Sequence, residues 1–246
     1  MAHITIFHTS DMHNKLTPEH AERLHNLKEA NPGSLMFDSG DAIWSGNIYW
    51  RPGGEPVFDL MNSVPYDAMC IGNREYHFLG AGIDSKTSKA GFPILSANLR
   101  AKNSGSKLPA QPYISLEREG VRIAVLGLSV PCVTERMLVK KISDYYFEQP
   151  LVTAAEIVPT LRNEHDLVIA LTHIGIKQDR ELAEKVSGID LILGGHTHTI
   201  TNEPERVGNT CILHHGFYAH YVGKVNVELS SDQIELTSEL IPLAKA

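Results

Sequence analysis

Short apolar runs alternate along this chain with stretches in which apolar residues recur every three or four positions. A period of two marks a half-buried strand, and the longer period marks an amphipathic helix. Ile4 to His8 reads as a first strand. Thr17-Pro18-Glu19 opens a helix, with Thr17 as cap and Pro18 in the first helical position, and Asn31-Pro32-Gly33 ends it. Ser34 to Phe37 is a second strand, and Glu55-Pro56 starts a helix that buries Val57, Phe58, Leu60 and Met61. Further strands are expected at Tyr66 to Ile71, Phe92 to Ala97, Tyr113 to Leu116 and Val121 to Leu128, with a hairpin turn at Arg118-Glu119-Gly120. Residues 150–164 and 178–187 read as helices, and Leu167 to Leu171 and Asp190 to Leu193 as strands. From Thr210 the tail alternates as strands do, whereas Trp44 to Gly54 and Ala101 to Leu108 have loop composition.

This succession predicts an α/β layered chain. No repeat and no composition shift divides it, so residues 1–246 are expected to form a single domain. The net charge is -7 with no dense Lys/Arg block, so stable nucleic-acid binding is not expected. Cys70, Cys132 and Cys211 are odd in number and widely spaced, so neither a disulfide framework nor a thiolate zinc site is suggested. With no basic-then-apolar leader visible, the expected location is cytoplasmic. No apolar run is long enough for a membrane span.

The chemistry lies in where metal-binding residue types fall. Asp11 and His13 follow the first strand, Asp41 the second, and Asn73 the third. His173 follows the Leu167 strand, and His196 and His198 follow the Asp190 strand. In open α/β folds, ligands collect beyond the carboxyl ends of strands. Side chains two apart in extended chain point the same way, so Asp11-x-His13 and His196-x-His198 can each aim two groups at one place. Each residue also has a plainer reading. Asp11 can cap or turn, Asn73 after Gly72 is a good turn residue, and His173 can be a satisfied sheet-end histidine. Taken together, the plain readings need five unrelated loops to carry ligand types by accident. Seven donors exceed the four or five positions of one zinc-like ion and suit two divalent ions bridged by Asp41. Imidazole, carboxylate and amide donors are compatible with Mn, Zn, Fe or Co. Trp44, Tyr49 and Trp50 follow Asp41 and either form an aromatic wall for substrate, Trp44 foremost, or pack a lid. His214, His215 and His220 lie in the strand-like tail, where His215 either approaches the metals from the rim or fills an ordinary strand position.

Asp11-x-His13, Gly40-Asp41, Gly72-Asn73-x-Glu75, His173 and Gly195-His196-x-His198 together resemble the calcineurin-like dinuclear metallophosphoesterases. His8-Thr9-Ser10-Asp11-Met12-His13, Gly54-Glu55-Pro56, Tyr66-Asp67-Ala68-Met69, Leu95-Ser96-Ala97-Asn98 and Leu171-Thr172-His173 look like the catalytic domain of the 5′-nucleotidase branch. The likeness runs from about residue 4 to about residue 228. It implies a four-layer α/β/β/α sandwich with two mixed sheets. It also implies one ion on Asp11, His13, Asp41 and His198, and another on Asp41, Asn73, His173 and His196.

Two positions depart from the family pattern. Arg74 stands where the family has a histidine that contacts phosphate, and His77 stands where the branch has an aspartate that orients it. Arginine cannot donate a proton at neutral pH, but its planar fork can hold phosphate oxygens. His77 either supplies the missing proton or packs. These 246 residues are not expected to include that branch's separate base-stacking domain, so nucleoside specificity is not carried over.

The expected function is hydrolysis of a phosphate mono- or diester of a small molecule, a nucleotide among the candidates. A hydroxide held between two metal ions would be the nucleophile, and Asn73, Arg74 and His77 the candidate catalytic side chains. The alternative is a catalytically weak, metal-bound regulatory or ligand-sensing module. The glycine fingerprints of Rossmann and P-loop proteins and the Gly-x-Ser-x-Gly elbow are missing.

Overall fold

The computed structural model describes residues 2–103, 105–230 and 234–244. The tail reading from Thr210 therefore has residues 231–233, 245 and 246 outside the described residues. Along the chain run β1 (Ala2–Thr9), α1 (Pro18–Glu29), β2 (Leu35–Asp38), α2 (Val57–Ser63), β3 (Ala68–Cys70), α3 (Gly80–Thr87), β4 (Ile94–Leu95) and β5 (Leu99–Ala101). Then come β6 (Tyr113–Arg118), β7 (Val121–Ser129), a short 3-10 turn (Leu138–Lys141), β8 (Tyr145–Phe147), α4 (Pro150–Glu164), β9 (Leu167–His173) and α5 (Ile176–Lys185). The chain finishes with β10 (Leu191–Gly194), β11 (Glu205–Val207), β12 (Thr210–His214), β13 (Tyr221–Leu229) and β14 (Ile234–Pro242).

One six-stranded sheet has the order β14-β13-β1-β2-β3-β4, and a second has the order β11-β12-β10-β9-β7-β6. Both are mixed. β1, β2, β3 and β4 are mutually parallel while β13 is antiparallel to β1; β7, β9, β10 and β12 are parallel while β6 and β11 run against their neighbours.

Alternation sorts the strand residues into three cores. Ile4, Ile6, Leu35 and Phe37 of one sheet meet Ile169, Leu171, Leu191 and Leu193 of the other in a dry layer between them. Phe7, Met36 and Met69 point the opposite way, against Ala21 and Leu24 of α1 and Phe58 and Met61 of α2. Ala124, Leu126, Val168 and Ile192 point outward to Ala154, Val158 and Leu161 of α4 and Leu182 of α5. The result is the expected four-layer α/β/β/α sandwich. Among the described residues no helix is long and apolar enough to cross a membrane.

Local signals explain the boundaries. Thr17 Oγ1 accepts from His20 N at 3.2 Å, which caps α1 as its Thr-Pro start predicts. Glu119 (φ 52°) and Gly120 (φ 75°) make a two-residue turn between β6 and β7, where both central positions need positive φ. The strand expected over Phe92 to Ala97 shrinks to Ile94–Leu95 because the chain changes sheets. Ser96 N bonds Gln111 O at 2.8 Å, and Ala97 N bonds Gly127 O at 2.7 Å. Helix α5 begins at Ile176, two residues ahead of expectation, and α3 was not foreseen.

The crossing at Gly127 is tight. A β-carbon there would sit 2.6 Å from the Leu95 carbonyl carbon and 2.7 Å from its oxygen. Gly127→Ala is expected to cost about 1–3 kcal/mol of stability, as overpacking against backbone does. A lower urea midpoint with an unchanged slope would show it, and an unchanged midpoint would refute it.

Candidate metal centre

The predicted donors converge beyond the carboxyl ends of β1, β2, β3, β9 and β10. The loop after β1 crosses the loop after β2 and is fastened to it. Asp11 N donates to Gly40 O at 2.9 Å, His13 N to Asp41 O at 2.9 Å, and Asn14 N to Ala42 O at 2.7 Å. Asp11, His13, Asp41, His196 and His198 all have positive φ, between 46° and 77°. Non-glycine residues rarely adopt that region, and several together mark a backbone held for function.

Two groups of donor atoms result. In one, Asp11, His13 and His198 each bring a ligand atom within 4.8 Å of the others, and Asp11, Asp41 and His173 do so in the other. His13 Nε2 and His198 Nε2 are 3.1 Å apart, and His198 Nε2 is 3.5 Å from Asp11 Oδ1. On the far side, His173 Nε2 lies 3.4 Å from Asp41 Oδ1. Asn73 Oδ1 is 3.3 Å from His173 Nε2 and 3.0 Å from His196 Nδ1. Two donors ~2.0–2.2 Å from an ion at tetrahedral angles sit about 3.3–3.6 Å apart, so these spans suit cation ligation. Asp41 stands between the groups, with Oδ2 3.9 Å from His13 Nε2 and Oδ1 facing His173.

Supporting bonds aim the donors. His173 Nδ1 donates to Ser39 O at 2.7 Å, which turns Nε2 toward the cluster. Asp11 accepts from His196 N at 3.0 Å and from Ser10 Oγ. Asp41 Oδ1 accepts from Arg74 N at 2.7 Å. Buried Glu75 accepts from Asp41 N and Gly72 N, both at 2.9 Å, and so ties the β3 loop to the bridging position. Burial, then the Asp41 charge, pushes the Glu75 carboxyl up to about 7. Burial alone would lower His173, yet the Asp41, Asp11 and Glu75 charges together outweigh it and drive that imidazole up to about 10. A cluster that pulls so hard on a proton is one that wants a cation, and metal and proton compete for the same lone pairs.

The other predicted residues fall around this cluster. Arg74 Nε is 3.9 Å from Asp41 Oδ2 and, although buried, has no hydrogen-bond partner. Its guanidinium lies 5.6 Å from the Trp44 ring centre, and Trp44, about half exposed, meets His13 edge-on at 5.5 Å. His77 is buried between Trp50 (4.8 Å) and Phe78 (4.6 Å), and its Nδ1 accepts from Leu79 N. These are packing contacts, and neither ring partner belongs to the donor cluster.

His215 is not a rim residue. It is buried against His8, with the two Nδ1 atoms 2.8 Å apart. Burial holds His215 down to about 3, so both rings are neutral and the hydrogen bonds have one consistent direction. Ser238 Oγ donates to His215, His215 to His8, His8 to Ser39 Oγ, and Ser39 Oγ to Leu193 O. His214 bonds Asp179 at 2.7 Å, and the His220 ring lies tilted against Phe217 at 5.3 Å. Two aromatic residues had no sequence signal: Phe217 stacks on His198 at 4.7 Å, and Tyr218 N donates to Asp11 O at 2.8 Å.

A two-sheet sandwich that gathers carboxylate, imidazole and amide donors on one edge defines a metal-binding α/β hydrolase class. The chain belongs to the calcineurin-like phosphoesterase family, whose family model matches residues 4–199. It is 30% identical over 277 residues to the trifunctional nucleotide phosphoesterase protein YfkN of Bacillus subtilis (strain 168), an alignment covering 96% of this chain and 19% of that protein. It is 31% identical over 221 residues to the 5′-nucleotidase of Bos taurus, covering 80% of this chain and 38% of that one. The crystal structure of a 5′-nucleotidase precursor from Thermus thermophilus shares the fold with TM-score 0.81 at 21% identity, over 98% of this chain and 55% of that chain. The chain thus spans about half or less of the curated relatives it matches.

Gly72 is where the donor set is most easily broken. A β-carbon there would collide with the Asp41 carboxylate and backbone nitrogen and lie 2.9 Å from Glu75 Oε2. Gly72→Ala is expected to weaken divalent-metal binding roughly 10–100-fold, the usual effect of disturbing the supports of a metal ligand. Equilibrium dialysis with Mn²⁺ or Zn²⁺ measures it, and wild-type affinity in the variant would contradict the placement of Asp41 at the ion.

Proposed function

We propose that this chain is a metal-dependent phosphoesterase that binds two divalent ions and acts on a small phosphate ester, a nucleotide in particular. The convergence of Asp11, His13, Asp41, Asn73, His173, His196 and His198 on one edge carries the reading. The names of the relatives support the substrate class. Asp11, His13, Asp41 and His198 would hold one ion, and Asp41, Asn73, His173 and His196 the other, with Mn, Zn, Fe or Co as the metal. The ions, when bound, supply positive charge for the phosphate oxygens and lower the pKa of water.

The chain's own groups do the rest. Arg74, whose side chain is about one-third exposed, offers its guanidinium to a phosphate oxygen and stabilises the charge that develops there. Its position over Trp44 makes a cationic and aromatic wall beside His13. Asn73 keeps its amide oxygen toward His173 and His196, which leaves its N–H free to reach substrate. His77, packed against Trp50 and Phe78, takes no part in proton transfer in this reading, and water protonates the leaving group. Three free thiols support the cytoplasm as its compartment.

A second reading, a metal-bound sensor, draws on the same pair of positions: arginine at 74 and a packed histidine at 77 supply no side-chain acid. Elemental analysis followed by a screen of nitrophenyl mono- and diesters and nucleotides separates the two. Bound metal without turnover under any of the four metals selects the sensor.

Asp41→Asn is expected to cut turnover about 10²–10³-fold, the equivalent of several kcal/mol of lost charge stabilisation, and to weaken both ions. A variant that keeps both ions and full activity removes Asp41 from the bridge. Arg74→His is expected to raise monoester over diester hydrolysis. The ratio of kcat/KM for the two nitrophenyl esters reads this directly, and an unchanged ratio removes Arg74 as a selectivity device.

A further inference from the structure

Lys86 on α3 has a fully buried side chain. Its Nζ donates to Gly46 O at 2.9 Å, Arg74 O at 2.5 Å and Tyr76 O at 2.9 Å. An ammonium has three donors, and all three go to backbone carbonyls. Burial pushes the Lys86 amine down to about 8, while the charges of Glu75, Glu55 and Asp41 pull the other way. A desolvated cation is kept only where its hydrogen bonds are complete, so this geometry is demanding.

The three carbonyls belong to two separate segments. Gly46 lies in the loop that carries Trp44 and Trp50; Arg74 and Tyr76 flank Glu75. The neighbouring residue acts on the same loop, since Ser85 Oγ donates to Arg51 O at 2.8 Å. Helix α3 can come this close because Gly82 has no side chain, and a β-carbon there would collide with the His77 ring. That ring in turn packs on Trp50. One short helix therefore grips the aromatic loop at Gly46, at Arg51 and through His77.

We propose that Lys86 is a positioning residue that locks the Trp44–Arg51 loop to the Arg74 backbone and so sets how Trp44 and Arg74 meet a phosphorylated substrate. The statement about substrate rests on the phosphoesterase reading. The statement about the loop does not.

Trp44 and Trp50 are the chain's two tryptophans, so fluorescence excited selectively at tryptophan, on the red edge beyond tyrosine absorption, reports on this loop. In Lys86→Met, with far-UV circular dichroism unchanged, the acrylamide quenching constant is expected to rise about twofold as the loop loosens. KM for an accepted ester is expected to rise about tenfold, with a smaller fall in kcat because Arg74 also stabilises developing charge. Lys86→Gln, which keeps two donors without the charge, is expected to recover part of both effects.

A folded Lys86→Met protein with wild-type quenching overturns the lock. Raised quenching with an unchanged KM overturns the substrate role. Raised quenching in a chain that turns over no ester leaves the lock standing and defeats the phosphoesterase reading instead. If neither variant folds, amine acylation of the unaltered chain in rising urea decides: Lys86 should become reactive together with the rise in tryptophan quenching. Acylation of Lys86 while tryptophan quenching stays at its native value overturns the proposal.

Discussion

Two buried carboxylates, Asp11 and Asp41, have to be held close together against their mutual repulsion, and one edge of both sheets is arranged around that requirement. Ionised acids out of water survive only when donors and cations surround them. Here the donors are His196 N and the adjacent Ser10 for Asp11, and Arg74 N and His173 for Asp41. Backbone crossing between the β1 and β2 loops, through three N–H···O bonds, keeps the two acids from moving apart. The left-handed conformations at Asp11, His13, Asp41, His196 and His198 cost of order 1 kcal/mol or more each. That strain is sustained by the dry layer of Ile, Leu, Val and Phe between the sheets just behind them.

The same arrangement explains why the supporting residues are polar and buried. Glu75 never faces the cation-binding space with a free oxygen; its carboxylate is taken up by the N–H groups of Gly72, Asp41 and Ile43. It therefore works as a splice between loops. Lys86 does the reverse with carbonyls. An acid that gathers amides and an amine that gathers carbonyls sit close together, so the polypeptide around Arg74 is held by its backbone from two directions. Side chains on that segment can then be exchanged, as arginine for histidine at 74, without moving the chain that carries them.

Much of the sandwich was legible because its inner strands are short apolar runs. Leu167, Ile169 and Leu171 face one core while Val168 and Ala170 face another, so that strand is apolar at every one of these positions. The donors were legible for the same reason: each follows a strand end, and backbone spacing alone brings strand ends together. What was hidden depended on contacts between distant segments. α3 has two glycines and few apolar residues, and it exists because Lys86 and Ser85 find loop carbonyls to bond. The outer part of the strand expected at Phe92 to Ala97 leaves the ladder to reach Gln111 and Gly127. His215 could not be told from a rim histidine, because its partner His8 lies 207 positions away.

The row from Ser238 through His215, His8 and Ser39 to Leu193 begins at β14 and ends at β10, in opposite sheets. Every interior member gives one proton and receives one, so the row has a head and a tail like a zip fastened in one direction. Sliding either sheet by a single residue would strand several polar atoms in a hydrocarbon layer, where no water can replace the lost partners. Two greasy surfaces that could otherwise glide past each other are thereby given one alignment, and the mouth of the protein inherits its dimensions from that bolt.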